Sequence, residues 1–277
     1  MTVHRRLKSF LVLIVCVGLT VIILFPVVWG ILLSLKTRVD ALAMPPTFLF
    51  AATLSNYKAA FIEGPYWGTI VNSVIIASVS SLLAMLLGVP AAYAFSRSTF
   101  KGKDSVLLSL LTVRMAPATV IALPLFIIFS RLGLIDSYVA IILVHAGVSV
   151  ALAVWIMKGF FDEIPREIDE ASMLDGDSRY GAMLNQVLPL CVPGLLVTML
   201  FCFLNSWNEF FLALMLTGYE SRPFTVAVPA LVTPHGTYWG QVTAISTVGL
   251  LPGLVFALLC RKYLTREVAG RVGMKSS

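Results

Sequence analysis

The sequence predicts an all-α membrane protein of six transmembrane helices, with a charged cytoplasmic loop between the fourth and fifth and both termini cytoplasmic. Three observations carry this. The 277 residues are 58% apolar and only 12% charged, with a mean hydropathy of +0.92, whereas soluble domains run nearer roughly 45–50% apolar and about 25% charged. Apolar runs long enough to span a membrane recur along the chain. The charges fall between those runs and divide unequally over the two sides. The same composition excludes disorder, which needs few apolar residues and many charges.

The first run, residues 10–35, covers about 39 Å as a helix, enough to cross a hydrocarbon core of about 30 Å with some tilt. Arg5, Arg6 and Lys8 precede it, and Ala41-Leu42-Ala43 resembles a signal-peptide cleavage site. A signal core is only about 7–15 residues long, so the run is read as a retained helix. Further spans are expected at about 69–95, 105–129, 137–157, 187–216 and 241–260, making one transmembrane domain of 1–277 with a tail at 261–277. With the termini inside, the inner loops hold fourteen Lys and Arg and the outer loops five, Arg114 lying within a span. That asymmetry fits the positive-inside rule, and the opposite topology inverts it. Two outer segments are long, Lys36–Trp67 and Thr217–Gly240, the second ending in the aromatic pair Tyr238-Trp239.

The 20 Lys plus Arg against 14 Asp plus Glu do not cluster into a face for nucleic acid. Cys16, Cys191, Cys202 and Cys260 lie in or beside apolar runs without CxxC spacing, so neither a disulfide framework nor a zinc site is expected. The three histidines, His4, His145 and His235, have no nearby catalytic partner. His145 is expected to be a packing residue, and no catalytic or metal site is expected.

Half of all the acids fall in one loop, 158–186: Asp162, Glu163, Glu167, Asp169, Glu170, Asp175 and Asp177. Pro165 suits a first helical turn, and Asp162 and Glu163 complement the positive end of a helix dipole. Ile164, Ile168 and Ala171 recur at i, i+4, i+7, which gives a short amphipathic helix. Gly176 reads as its left-handed C-cap residue. A second short helix runs from Ser178 towards Leu188, before Pro189. The small residues Ala171, Ser172 and Gly176 would let a partner approach closely.

Glu170-Ala171-Ser172, three residues, Gly176, nine residues, then Gln186-Val187-Leu188-Pro189 resembles the EAA loop of ABC importer permeases. Ser172 stands for the motif's second Ala, and Gln186 for an apolar residue, a change expected to weaken packing. Ala91-Ala92-Tyr93-Ala94-Phe95-Ser96-Arg97 with Phe100, Arg114-Met115-Ala116-Pro117 with Pro124-Leu125-Phe126, Trp207-Asn208-Glu209-Phe210, and Arg261-Lys262-Tyr263-Leu264 are similar, in order, to segments of the maltose-type carbohydrate permeases. The resemblance implies an importer at the bacterial inner membrane. It would comprise two related permeases, an ATPase dimer inside, and a periplasmic or lipid-anchored substrate-binding protein outside. Glu170, Ala171, Ser172, Asp175, Gly176, Leu188 and Pro189 would then couple this chain to the ATPase. The segment 217–240 would reach towards the binding protein, and the tail would contact the ATPase or anchor at the lipid surface. No phosphate-binding loop occurs, because Gly102-Lys103 lacks the upstream Gly and the following hydroxyl. ATP and Mg are therefore expected on the partner, and no cofactor on this chain.

A charge at mid-bilayer costs about 2.5–3.5 kcal/mol on insertion scales, which makes intramembrane polar residues functional candidates. Arg114 reads either as a translocation-path residue or as a structural Arg bonded to carbonyls freed by Pro117. Asn205, Asn208 and Glu209, spaced i, i+3, i+4, share a helix face, and Trp207 flanks them. They read as a sugar path or as inter-helix hydrogen bonds worth about 0.6 kcal/mol each. Asn72 is a further candidate, as path or packing. The alternative to an importer subunit, a self-contained secondary transporter or channel, predicts inverted repeats or a coupling-ion site in broken helices, and neither is visible in the sequence.

Overall fold

Residues 2–234 and 236–273 are described, in a computed structural model, with side chains at 10–258 except 113, 235 and 257. The N-terminal basic cluster, His4, His235, Cys260 and the tail cations Arg261, Lys262, Arg266, Arg271 and Lys275 lie outside the described side chains.

The chain is helical almost throughout. Helix α1 (Thr2–Ser34) is followed by two short helices, α2 (Arg38–Leu42) and α3 (Ser55–Phe61), and by α4 (Tyr66–Arg97). Then come α5 (Lys103–Met115), α6 (Ala118–Arg131) and α7 (Tyr138–Asp162). The charged loop holds α8 (Glu167–Leu174), α9 (Arg179–Ala182), a π-helical turn (Met183–Val187) and α10 (Leu188–Leu190). Helices α11 (Val192–Trp207), α12 (Phe211–Leu216) and α13 (Phe224–Ala227) precede a two-stranded hairpin, which pairs Val232 with Thr237 and Thr233 with Gly236. The last helix, α14 (Trp239–Gly273), continues unbroken past residue 260.

Among the described residues, four helical segments are long and apolar enough to cross a membrane: Phe10–Ser34, Tyr66–Arg97, Tyr138–Asp162 and Trp239–Phe256. The other two expected spans are interrupted. The third, read as one helix over 105–129, is two helices parted at Ala116-Pro117. Proline has no N–H and disfavours helical geometry in the residue before it, and Pro117 becomes the N-cap of α6. Arg114 thus sits in the last turn of α5, exposed, rather than deep within a continuous span. The fifth, read as 187–216, bends by 85° between Arg179–Leu190 and Val192–Trp207, where Pro189 and Pro193 each withhold a donor. It breaks again over 208–210, before α12.

The chain divides into two compact units, Met1–Trp67 with Val228–Leu251, and Gly68–Ala227 with Pro252–Ser277. In the first, Lys36 is buried: its Nζ donates to the Thr47 carbonyl at 2.6 Å and lies 4.6 Å from the Trp29 ring centroid and 5.0 Å from that of Phe50. Hydrogen bonding and two ring faces replace the water that a buried ammonium loses. Asn56 donates to the carbonyls of Ser34 and Lys36, both at 2.8 Å, fixing the turn after α1.

In the second unit, α11 packs along α7, and α4 crosses α7 closely. A Cβ on Gly88 would stand 2.6 Å from the Ala153 Cβ, and one on Gly194 would stand 2.5 Å from the Phe160 ring. Glycine is required at both crossings because carbon atoms need about 3.5–4.0 Å. A core of Val89, Tyr93, Val154, Met157, Phe161, Met183 and Val187 joins the C-terminal ends of α4 and α7 to the charged loop.

Candidate coupling loop and intramembrane site

The loop forms the predicted helix–Gly turn–helix, with α8 starting at Glu167, two residues beyond Pro165. Its end is a Schellman motif: the Gly176 N–H donates to the Met173 carbonyl at 3.2 Å and the Asp177 N–H to Ser172 at 3.1 Å. Gly176 has φ +102°, open to glycine and strained for other residues. Ser178 caps α9 by accepting from the Gly181 N–H at 3.0 Å. Ser172 is buried, and its hydroxyl donates to Asp177 Oδ2 at 2.6 Å, a bond the motif's Ala cannot make. Gln186 is exposed on the π-helical turn, so the expected loss of packing does not arise. Leu188 is half-buried beside the core, and Pro189 is exposed.

Two faces of α8 differ sharply. Glu170, Ala171, Leu174 and Asp175 are exposed, Leu174 to 88%. Asp169 is buried with Arg97, the last residue of α4, their side chains 6% and 7% exposed. Arg97 Nε donates to Asp169 Oδ2 at 2.9 Å, Nη1 to the Phe161 carbonyl at 2.9 Å and Nη2 to the Ile164 carbonyl at 3.0 Å. The Tyr93 hydroxyl donates to the other carboxylate oxygen. Charge counting by side of the membrane placed Arg97 among loop cations. Its burial becomes visible only once the helix end and the loop are folded together.

Within the spans, His145 is no mere packing residue. It is 3% exposed, its Nδ1 lies 2.7 Å from Ser206 Oγ, which also accepts from Ser80 Oγ at 3.0 Å, and its Nε2 lies 3.2 Å from Glu209 Oε2. Glu209 stands at the break between α11 and α12. Its Oε1 accepts from the Leu212 N–H at 2.8 Å and its Oε2 from the Ala213 N–H at 2.9 Å. The first amides of a helix have no internal partner, and this carboxylate supplies one at the start of α12, where the side chain of the N-cap residue Phe210 cannot. The shared face expected of Asn205, Asn208 and Glu209 exists only in part, because the helix ends between them. Asn208 is exposed and turns back to the Leu204 carbonyl at 2.8 Å.

Beside this break lies a cavity of about 730 Å³, lined by Arg114, Asn205 and Glu209 among apolar side chains that include Ile121, Leu125 and Val148. Asn72 and Trp207 are not among its lining residues. Asn72 donates to the carbonyls of Glu220 and Arg222, both at 3.0 Å, and accepts from the Tyr138 hydroxyl at 2.7 Å. Trp207 is buried against Phe203 and Phe224.

Asp136, which the sequence did not single out, completes the clasp that Asn72 begins. Its carboxylate accepts from the N–H groups of Gly218, Glu220 and Ser221 at 2.7, 3.1 and 3.0 Å, and from the Ser221 hydroxyl at 2.9 Å. Burial alone would raise its pKa, but these four donors outweigh it and hold the group down at about 2.

These features belong to a polytopic membrane protein with a charged helical element between its apolar helices. Residues 84–269 match the family described as binding-protein-dependent transport system inner membrane component, and the chain belongs to it. Members are transmembrane permease subunits of ABC importers, and ATP hydrolysis belongs to a separate chain. It is 34% identical, over 89% of its length and 86% of the relative's, to the sulfoquinovosyl glycerol transport system permease protein of Agrobacterium fabrum. It is 32% identical, over 93% and 94%, to the trehalose/maltose transport system permease protein of Thermococcus litoralis. Its fold is that of a chain in the crystal structure of a bacterial ABC transporter involved in the import of the acidic polysaccharide alginate. The TM-score is 0.80 over 95% of this chain and 98% of that chain, at 20% identity.

Proposed function

We propose that this chain is one of two related permeases of a bacterial inner-membrane importer that takes up a carbohydrate or carbohydrate derivative by alternating access. In this reading the chain crosses the membrane six times with both termini in the cytoplasm, the interrupted helices α5–α6 and α11–α12 forming the third and fifth crossings. The positive-inside asymmetry of the loops supports that topology. An ATPase dimer that binds ATP and Mg receives Glu170, Ala171, Leu174 and the Gly176 turn, and a periplasmic or lipid-anchored binding protein delivers solute outside. The relatives named for sugars support the solute class. The cavity beside Arg114, Asn205 and Glu209 is the stretch of the path that this subunit contributes.

The observation that carries the reading is the division of α8 into a buried polar face held by α4 and an exposed face bearing Glu170 and Leu174. The test is affinity purification of the tagged chain from its own operon, wild type beside Glu170→Lys and Gly176→Pro. The expected result is an ATPase and a second permease recovered with wild type, with ATPase recovery falling at least about tenfold in either variant while membrane insertion persists. Proline at Gly176 cannot adopt a positive φ, so it removes the turn rather than the charge. A chain that purifies alone and transports solute in liposomes without ATP would overturn the proposal in favour of a self-contained transporter. Interrupted helices also belong to that class, but the carboxylate at the second break, Glu209, is committed to the α12 amides and His145 rather than left for a coupling ion.

A further inference from the structure

We propose that Arg97, Asp169 and Tyr93 form the joint that passes movement of α8 into the transmembrane helix α4. This rests on the reading that α8 docks an ATPase. Only Asp169 and Ser172 of α8 are buried, and Ser172 is bonded within the loop itself. The attachment of α8 to the membrane helices is therefore polar and directional rather than a slippery apolar contact. Tyr93 and Arg97 are one turn apart on α4, so they present neighbouring groups on one helix face, and each takes a different oxygen of the one carboxylate. A carboxylate gripped at both oxygens cannot rotate freely, so turning α8 about its axis loads the last turn of α4.

The remaining guanidinium donors tie the same point to the end of α7 through Phe161 and to the linker through Ile164. Arg166 adds a bond from the start of α8 to the Ser96 carbonyl at 3.1 Å. Three elements thus meet at one planar cation. Lysine, a point charge on a flexible stem, cannot reproduce that fork. Arg97, Asp169 and Tyr93 are positioning residues: they touch neither nucleotide nor solute, and they act through the helix they hold.

The test uses the complete complex, purified from the chain's operon and placed in nanodiscs, with a spin label at Leu86 as reporter. Leu86 lies on α4 and is 69% exposed; the native cysteines are replaced. Trapping with ATP and vanadate should change the water accessibility of the label in the wild type. Asp169→Asn and Arg97→Lys should keep the ATPase bound at wild-type stoichiometry, yet lose the change at Leu86. Stimulation of ATP hydrolysis by the operon's binding protein should fall about tenfold in both, within the range of ordinary coupling energies. Tyr93→Phe, which removes one hydroxyl and keeps the fold, should give an intermediate loss even if the charge variants fail to assemble.

A retained change at Leu86 in these variants overturns the joint, and so does a wild type in which trapping leaves the label unchanged. Loss of the ATPase from Tyr93→Phe, or from a charge variant that still inserts and holds the second permease, also overturns it, because the residues would then serve docking. If the wild type itself recovers no ATPase, the failure lies with the reading of α8 as a docking element.

Discussion

Replacing Glu209 with alanine strips the start of α12 of its acceptor. The N–H groups of Leu212 and Ala213 lose partners at 2.8 and 2.9 Å, and His145 loses one at 3.2 Å. The Glu209 side chain is only 18% exposed, so water does not readily substitute. Losing a helix cap costs about 0.5–2 kcal/mol, and each buried donor left unpaired about 1–3 kcal/mol. These overlap rather than add, and about 3–5 kcal/mol is the expected total. At about 2–4 °C per kcal/mol for a chain near this length, the midpoint should fall by at least about 6 °C.

A thiol-reactive dye in detergent reads this directly, because Cys191 and Cys202 are 2% and 0% exposed and react only on unfolding. Cys16, already exposed, and Cys260, outside the described side chains, are first changed to serine. Glu209→Gln keeps an acceptor oxygen and should lose about half as much. His145→Ala combined with Glu209→Ala should be less than additive, because one bond is removed twice. A Glu209→Ala midpoint within about 1 °C of the parent would refute the assignment of this carboxylate as the cap of α12.

Gly88→Ala should destabilise by about 1–3 kcal/mol through overpacking, since its Cβ would meet the Ala153 Cβ at 2.6 Å; Ala153→Gly in the same chain should restore part of the loss in the dye assay. Asp136→Asn should lower the midpoint at pH 7, and the gap to wild type should shrink as pH falls. The sign follows from a folded pKa of about 2 against an ordinary 3.8: the stabilisation is fully present above the unfolded value and is lost as pH drops through about 4 towards 2. A gap that widens on acidification would refute the clasp. Gly176→Ala, which keeps the backbone N–H but strains at φ +102°, should reduce ATPase recovery less than Gly176→Pro does in the same purification.

Composition and periodicity located the four long helices and the two short helices of the loop, because each depends on local pattern. The C-terminal turn at Gly176 is written in a single residue with a known backbone preference and lies where the sequence places it, and the second short helix begins just after Ser178, which the structure shows to be its cap. The interruptions of α5–α6 and α11–α12 do not show in hydropathy, which sums over a window and does not register where a helix stops. Pro117 was a legible signal for the first break. Asn208-Glu209, a polar pair inside an apolar run, marks the second, although its i, i+3, i+4 spacing with Asn205 suits a continuing helix face equally well. Arg97, Asp136 and His145 could not be assigned from their neighbours, because their partners lie 72, 82 to 85 and 61 to 64 positions away in sequence. Only tertiary contact shows that such a residue is consumed by structure.

That distinction decides what the polar residues of the membrane region can do. An ionisable group inside a span is a functional candidate by default, yet a buried polar group must first be satisfied. Asn72 spends its amide N–H groups on the carbonyls of Glu220 and Arg222 and its oxygen on Tyr138, and Glu209 spends both oxygens on α12 and His145. Each holds an irregular stretch of backbone at a place where helix geometry fails, and irregular backbone at membrane depth survives only where protein or a cavity receives it. The break at 208–210 and the cavity beside it are therefore one feature. The chain leaves helical geometry there because a carboxylate can cap the next segment, and the interruption leaves room along the wall. Arg114 borders the same cavity from the break at Ala116-Pro117, so the two interrupted helices deliver their polar residues to one place.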